Sequence, residues 1–268
     1  MPLESSLADP RAGSQHHGVG PLYVGLVAVI PALDEEGSIG EVVAGLIARG
    51  VSRVIVADNG SRDRTAAVAR AAGAEVVDAP RRGYGSACLA ALRAVPADAR
   101  AIVFCDGDGA DDLGRLAAIA RPVLDGQADL VIGSRALGVA QAGSLTLPQR
   151  AGNVVAAALL GLLFGARVTD LGPFRCISTK ALGRLGMRDP DFGWTAEMQT
   201  KALRLGLRVS EVAVDARARA AGESKISGRI GPVFRAGYAI LSTILVYRFK
   251  PMARVGADHT SKPKAIGT

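Results

Sequence analysis

From Tyr23 to Ser134 the sequence alternates between five short, continuous apolar runs and four Ala- and Leu-rich segments with helical spacing. The runs are "YVGLVAVI" (23–30), "VSRVIVAD" (51–58), "AEVVDA" (74–79), "AIVFCD" (101–106) and "ADLVIGS" (128–134), each bounded by turn residues. Between them lie Ser38 to Arg49, Arg62 to Ala72, Ser86 to Ala94 and Asp112 to Leu124. Strands that are apolar throughout have no face to give to water, so both faces of their sheet must be covered. The pattern predicts an α/β fold: a mostly parallel central sheet with helices on both faces. Ligands of such sheets collect outside the carboxyl ends of the strands, so the chemistry should be sought there.

Every one of these strand ends carries polar punctuation. In "VIPALDEEGSIGEVV", Pro31 stops the strand, and Asp34 and Glu35 stand where acids favour a helix N-terminus. In "IVADNGSRDRT", Asp58, Asn59 and Ser61 suit a turn that caps the following helix. In "APRRGYGSACLAAL", Gly83 and Gly85 precede a helix, where a backbone without side chains can approach an anion. This is not the dinucleotide fingerprint, which needs three spaced glycines on the first strand–helix turn.

The fourth end, "CDGDGADD", packs four carboxylates into eight residues of a chain with formal charge +7. Like charges this close require a cation among them or water around them. Asp106 and Asp108, with only Gly107 between, can aim oxygens at one hard ion, and Mg²⁺ or Mn²⁺ shared with substrate phosphates is the matching chemistry. The alternative is an exposed acidic turn with a helix cap at Asp111 or Asp112. The glycine loop and acidic pair at neighbouring strand ends favour the metal.

After Arg135 the rhythm changes. "LPQRAGNVVAAALLGLLFG" reads as a long apolar helix, followed by the loop "TDLGPFRC", in which Asp170 and Arg175 are expected to pair. Helices follow at Thr179 to Leu185 and through "WTAEMQTKALRLG", where Trp194 suits a core position; then come a strand within 207–219 and an apolar helix around Val233 to Tyr247. The expected division is a tail at 1–20, one domain at 21–228, an apolar helix at 229–250 and a basic tail at 251–268. The first twenty residues lack the basic and apolar regions of a signal peptide, and His16-His17 suits a solvated tail. The uncharged apolar run Ala151 to Ala166 falls short of the roughly 20 residues of a spanning helix. No membrane crossing is therefore expected.

Three widely spaced cysteines, Cys88, Cys105 and Cys176, suit reduced core positions in a cytoplasmic protein. The positive charge points to anionic partners, but no basic stretch is interleaved with the aromatics that nucleic-acid stacking needs. In "VFRAGYAILSTILVYRFKPMAR", Arg235, Arg248, Lys250 and Arg254 flank an uncharged centre. That suits a helix at an anionic membrane interface. The alternative is a helix packed on the domain, or a contact in a homo-oligomer.

The succession "VIPALDEE", "VIVADNGSRDRT", "RRGYGSA", "CDGDGADD", "VIGSRALG", "VTDLGPFRC", "WTAEMQTKA" and "RAAGESKIS" resembles the family-two glycosyltransferases of GT-A fold, nearest the dolichyl- or polyprenyl-phosphate sugar synthases. The resemblance runs from about Leu26 to Ser227. It implies that Pro31, Leu33, Glu35 and Asp58 meet the nucleotide base and ribose, with Leu33 where the family usually carries Tyr. It places the metal on Asp106 and Asp108, with Ala110 where a further ligand, Gln, is common. Arg135, Arg219 and Lys225 would hold an acceptor phosphate, and Glu197 would stand near the acceptor.

The implied reaction is inverting, metal-dependent transfer of a hexose from a nucleotide sugar (GDP-mannose or UDP-glucose type) to a polyprenyl or dolichyl phosphate. It would take place on the cytoplasmic inner face of the membrane, with the protein held peripherally. Three alternatives stay open: a hydroxyl acceptor with Glu197 as base, a nucleotidyltransferase, and a non-catalytic nucleotide- or membrane-binding module.

Overall fold

A computed structural model describes residues 23–141, 144, 146–218 and 230–249. Arg219 and Lys225, both tails and His16-His17 lie outside them. Seven strands form one sheet in the order β3-β2-β1-β4-β6-β5-β7. They are β1 (Leu26–Ala32), β2 (Arg53–Asp58), β3 (Glu75–Asp78), β4 (Ala101–Phe104), β5 (Leu130–Ser134), β6 (Arg175–Ser178) and β7 (Val209–Ala213). Every pairing is parallel except those of β6, which runs antiparallel between β4 and β5. The anticipated mostly parallel sheet is present, but β6 begins within what reads as a Gly/Pro loop.

Side chains alternate across the sheet as the strand period requires. Leu26, Ala28 and Ile30 face α1 (Ile39–Ala48), α2 (Thr65–Ala71) and α4 (Leu116–Leu124). Val27 and Val29 face α3 (Tyr84–Leu92), α6 (Thr179–Leu185) and α7 (Trp194–Arg204). Trp194 is a core residue, edge-on to Phe104 with ring centroids 6.1 Å apart. The three cysteines are buried and unpaired. A third apolar cluster joins α5 (Leu147–Phe164), α7 and α8 (Ile230–Phe249), with Ile244 of α8 wholly buried. The C-terminal helix therefore packs on the domain.

The register brings the ends of β1, β2 and β4 to one edge, with Ala32 beside Asp58 and Val29 beside Phe104. Because β6 runs the other way, it begins at that edge with Arg175.

Candidate functional site

The loops after β1, β2 and β3 are laced together by short polar side chains. Asp34 has φ 50°, the only positive φ among described non-glycine residues. Its N–H donates to Ser61 Oγ at 2.9 Å and its carboxylate accepts from the Arg62 N–H at 2.7 Å. The Glu35 N–H donates to Thr65 Oγ1 at 2.7 Å. Asp58 accepts from the N–H and hydroxyl of Ser61, at 3.0 and 2.5 Å. Asp58 does not cap α2, which begins later, at Thr65. Asn59 reaches the third loop: its amide donates to the carbonyls of Ala79 and Arg81, and its own carbonyl accepts from the Gly83 N–H at 2.8 Å.

These loops rim a cavity of about 370 Å³. Among its lining residues are Pro31, Leu33, Glu35, Gly83, Asp106, Gly107 and Asp108; Asp58 and Gly85 are not. Asn59, Arg82, Tyr84, Asp191 and Phe192 also line it, and the sequence reading assigned none of them. A tyrosine inside the glycine loop was the available signal for Tyr84, whose hydroxyl donates to Asp106 Oδ1 at 3.1 Å.

The acidic stretch is not an exposed turn. Asp108 is only 5% exposed, and Asp111 accepts from the Asp106 N–H at 2.8 Å. Burial pushes the Asp111 carboxyl well above the usual carboxylate range, and the charge of Asp106 adds to the shift. Asp112 does cap, accepting from the Gly114 N–H at 3.2 Å, and it pairs with Arg217 at 2.6 Å. Among the described residues no group of three or more His, Cys, Asp or Glu side chains could hold a metal ion. Asp106 and Asp108, both on the cavity wall, offer oxygen donors of the kind a hard divalent cation shares with phosphate.

Gly83 and Gly85 have a structural purpose that the anion reading missed. Gly83 sits at φ 131°, and a Cβ there would overlap the carbonyl oxygen of Pro190. A Cβ on Gly85 would overlap the carbonyl oxygen of Asp189. The two glycines admit the turn Asp189–Asp191, which accepts from the Ser86 N–H at 2.8 Å and carries Asp191 to the cavity. Gly85→Ala should push that turn away, destabilise the fold by about 1–3 kcal/mol in urea unfolding and weaken nucleotide binding. Unchanged stability and binding would refute this role.

Glu197 is corrected as an acceptor-side group. It is fully buried and lines neither this cavity nor the next. It accepts from the N–H groups of Arg188 and Asp189 (3.0 and 2.6 Å) and pairs with Lys201 at 2.5 Å. Lys201 in turn donates to the Gly186 carbonyl at 2.8 Å and lies 4.4 Å from the Tyr247 ring centroid of α8. The pair anchors the base of the 186–191 turn.

The expected Asp170–Arg175 pair is also overturned. Asp170 instead takes Nε and Nη2 of Arg135, both at 2.8 Å, and the Arg135 N–H at 2.8 Å. Arg175 is buried and donates to the backbone carbonyls of Leu171, Gly172 and Thr195. Burial lowers its pKa to about 10.

Arg135 lines a second cavity of about 510 Å³, with Arg150 and Asn153 of α5 and Ile240 of α8. Phe192 lines both cavities, so they adjoin. Asp170, already held by Arg135, is the only acid among the lining residues of the second.

The Glycosyl transferase family 2 model matches residues 27–186. An uncharacterized glycosyltransferase of Mycobacterium tuberculosis is 37% identical over 207 residues, covering 76% of this chain and 91% of its own. A dolichyl-phosphate hexose transferase of Haloferax volcanii is 33% identical over 209 residues, covering 75% and 86%. Among solved structures, glucosyl-3-phosphoglycerate synthase from Mycobacterium tuberculosis, in complex with Mn²⁺, UDP and phosphoglyceric acid, is similar at 25% identity and TM-score 0.67. That match covers 85% of this chain and 80% of the other.

Proposed function

The chain belongs to glycosyl transferase family 2, a mixed α/β glycosyltransferase with a GT-A architecture, and on that premise we propose that it transfers a hexose from a nucleotide sugar to a polyprenyl phosphate. One observation carries the reading: two cavities of opposite character meet at Phe192, one walled by Asp106 and Asp108, the other by Arg135 and Arg150. Family membership removes the nucleotidyltransferase and the non-catalytic module from consideration.

In this reading Pro31, Leu33, Glu35 and Asn59 receive the nucleoside, and Leu33 supplies an apolar rather than an aromatic surface to the base. Asp106 and Asp108 would hold Mg²⁺ or Mn²⁺ at the donor diphosphate; a solved relative is in complex with Mn²⁺ and UDP, which favours a uridine donor. When bound, such an ion neutralises charge developing on the departing nucleoside diphosphate. The Tyr84 hydroxyl fixes the Asp106 carboxylate, and Asp170 fixes Arg135 through a bidentate pair. Arg135 and Arg150 hold the acceptor phosphate so that one of its oxygens attacks the anomeric carbon. The bond from that carbon to the diphosphate breaks as the new one forms, inverting its configuration. By the resemblance, Arg219 and Lys225 would join them.

A phosphate monoester has a second pKa around 6 and is ionised near neutrality. It therefore needs cations and no base. A second reading, a hydroxyl acceptor, rests on Asp191: it lines the donor cavity beside Phe192, and burial, with Asp189 nearby, raises its pKa. The deciding measurement is nucleoside diphosphate release from UDP-glucose and GDP-mannose with short-chain polyprenyl phosphate or phosphoglycerate, with and without Mn²⁺. Polyprenyl phosphate should be the productive acceptor, and Asp191→Asn should retain activity within about tenfold. A loss of about 10²- to 10⁴-fold in Asp191→Asn, with no use of polyprenyl phosphate, would establish the hydroxyl reading instead.

A further inference from the structure

We infer that α5 and α8 together form a face that lies on an anionic lipid surface, with α5 rather than the C-terminal helix alone as its principal element. Its lipid-facing role rests on the reading of the arginine-lined cavity as an acceptor site.

Helix α5 is apolar on both sides. Ala156, Ala157 and Leu160 are buried against α7 and α8. On the outer side Leu147, Val154, Val155 and Leu162 are 81, 64, 52 and 83% exposed. Their spacing keeps them on one helical face. Eighteen residues of mean hydropathy 1.3 are long and apolar enough to cross a membrane by length and composition, which the uncharged run read alone had not suggested. The second half of α5, however, is tied to the domain through Ala156, Ala157 and Leu160, which favours lying in the interface over spanning. Helix α8 repeats the outward stripe with Tyr238, Leu245, Val246 and Phe249. A monomer's own core explains neither stripe.

Charge selects the occupant. Neither helix contains an aspartate or glutamate, and their only charges are Arg150, Arg235 and Arg248. A second copy placed symmetrically on this face would bring arginines against arginines, with no acid from either helix between them. Anionic headgroups supply the missing charge, drawn by the basic residues near the surface.

The placement of the cavity agrees. Its lining includes Arg150 and Asn153 near the start of α5 and Gly237 and Ile240 near the middle of α8. At the other end the Arg248 guanidinium lies 5.5 Å from the Phe164 ring centroid, so the C-termini also meet. The helices run side by side in one direction, and the arginine cavity opens between the first half of α5 and the middle of α8. A phosphate carried on a prenyl chain can enter from the lipid plane without leaving it.

The test is co-sedimentation of the full chain with phosphatidylglycerol or phosphatidylcholine vesicles, using Val155→Glu/Leu162→Glu, neither of which lines a cavity. Wild type should bind phosphatidylglycerol vesicles and prefer them over phosphatidylcholine on the order of tenfold or more. The double variant should lose on the order of 100-fold in vesicle affinity, keep its melting temperature, and still glycosylate a short-chain polyprenyl phosphate in solution. Unchanged vesicle binding by the double variant overturns the proposal. So does a wild-type dimer that the variant dissolves, with no vesicle binding by either. A wild type that binds phosphatidylglycerol through this face but glycosylates no polyprenyl phosphate retains the docking surface and removes the acceptor reading. One that glycosylates the short-chain acceptor but binds no vesicles does the reverse.

Discussion

Asp108→Ala is expected to lower hexosyl transfer on the order of 10³-fold, the rate equivalent of about 4 kcal/mol of lost charge stabilisation. The fold should survive. Asp108 lies in a stretch where four carboxylates fall within eight residues, and removing one relieves repulsion in the metal-free protein. The hydrogen bond it accepts from the Ala110 N–H at 2.9 Å is worth about 1 kcal/mol. The check is nucleoside diphosphate release beside circular dichroism, with an excess-chelator arm on the wild type. Wild-type rates in Asp108→Ala, or in chelator, would remove the metal from the mechanism.

Glu197→Ala should damage the protein in a different way. Lys201 is 5% exposed and would keep its ammonium without the carboxylate that neutralises it. Stranding one partner of a buried pair costs about 3–5 kcal/mol, which in a domain of this size lowers the melting temperature on the order of 10 °C. The backbone N–H groups of Arg188 and Asp189 lose their acceptor as well. Glu197→Ala/Lys201→Met should recover much of that loss, because the stranded charge goes too. Calorimetry on the single and double variants decides it. A melting point for Glu197→Ala within 2 °C of wild type would show that the pair does not support the turn.

The donor half of the fold was legible because its strands are continuous apolar runs that end abruptly in polar residues. Buried strands and helix-start loops leave that signature in one dimension. It places Pro31, Glu35, Asp106 and Asp108 at strand ends, and all four line the one cavity there. The second half was less legible. Strand β6 is four residues long, begins with a buried arginine and follows Gly172-Pro173, so no apolar run announces it. The partners of Asp170 and Arg175 were misassigned for a related reason. Five residues apart in sequence looked like a pair, but β6 carries Arg175 inward to backbone carbonyls while Asp170 turns to Arg135. Likewise Gly83 and Gly85 were read for a ligand, when what comes close is a turn more than a hundred residues away. Close approach between distant segments leaves no local pattern.

The inserted strand β6 also sets an order of assembly. Strands β1 to β4 pair through short crossovers as they emerge, so the nucleotide half can consolidate early. Strand β5 has no such neighbour. Its partners, β6 and β7, come from Arg175–Ser178 and Val209–Ala213, and α5 is synthesised before either. The inner face of α5 is covered only when α7 and then α8 arrive. During synthesis an apolar helix of eighteen residues therefore waits with neither face enclosed by protein. A nascent chain in that state is drawn to whatever apolar phase lies nearby, and if α5 docks on lipid as proposed, the second half of the enzyme would finish folding around a helix already resting there.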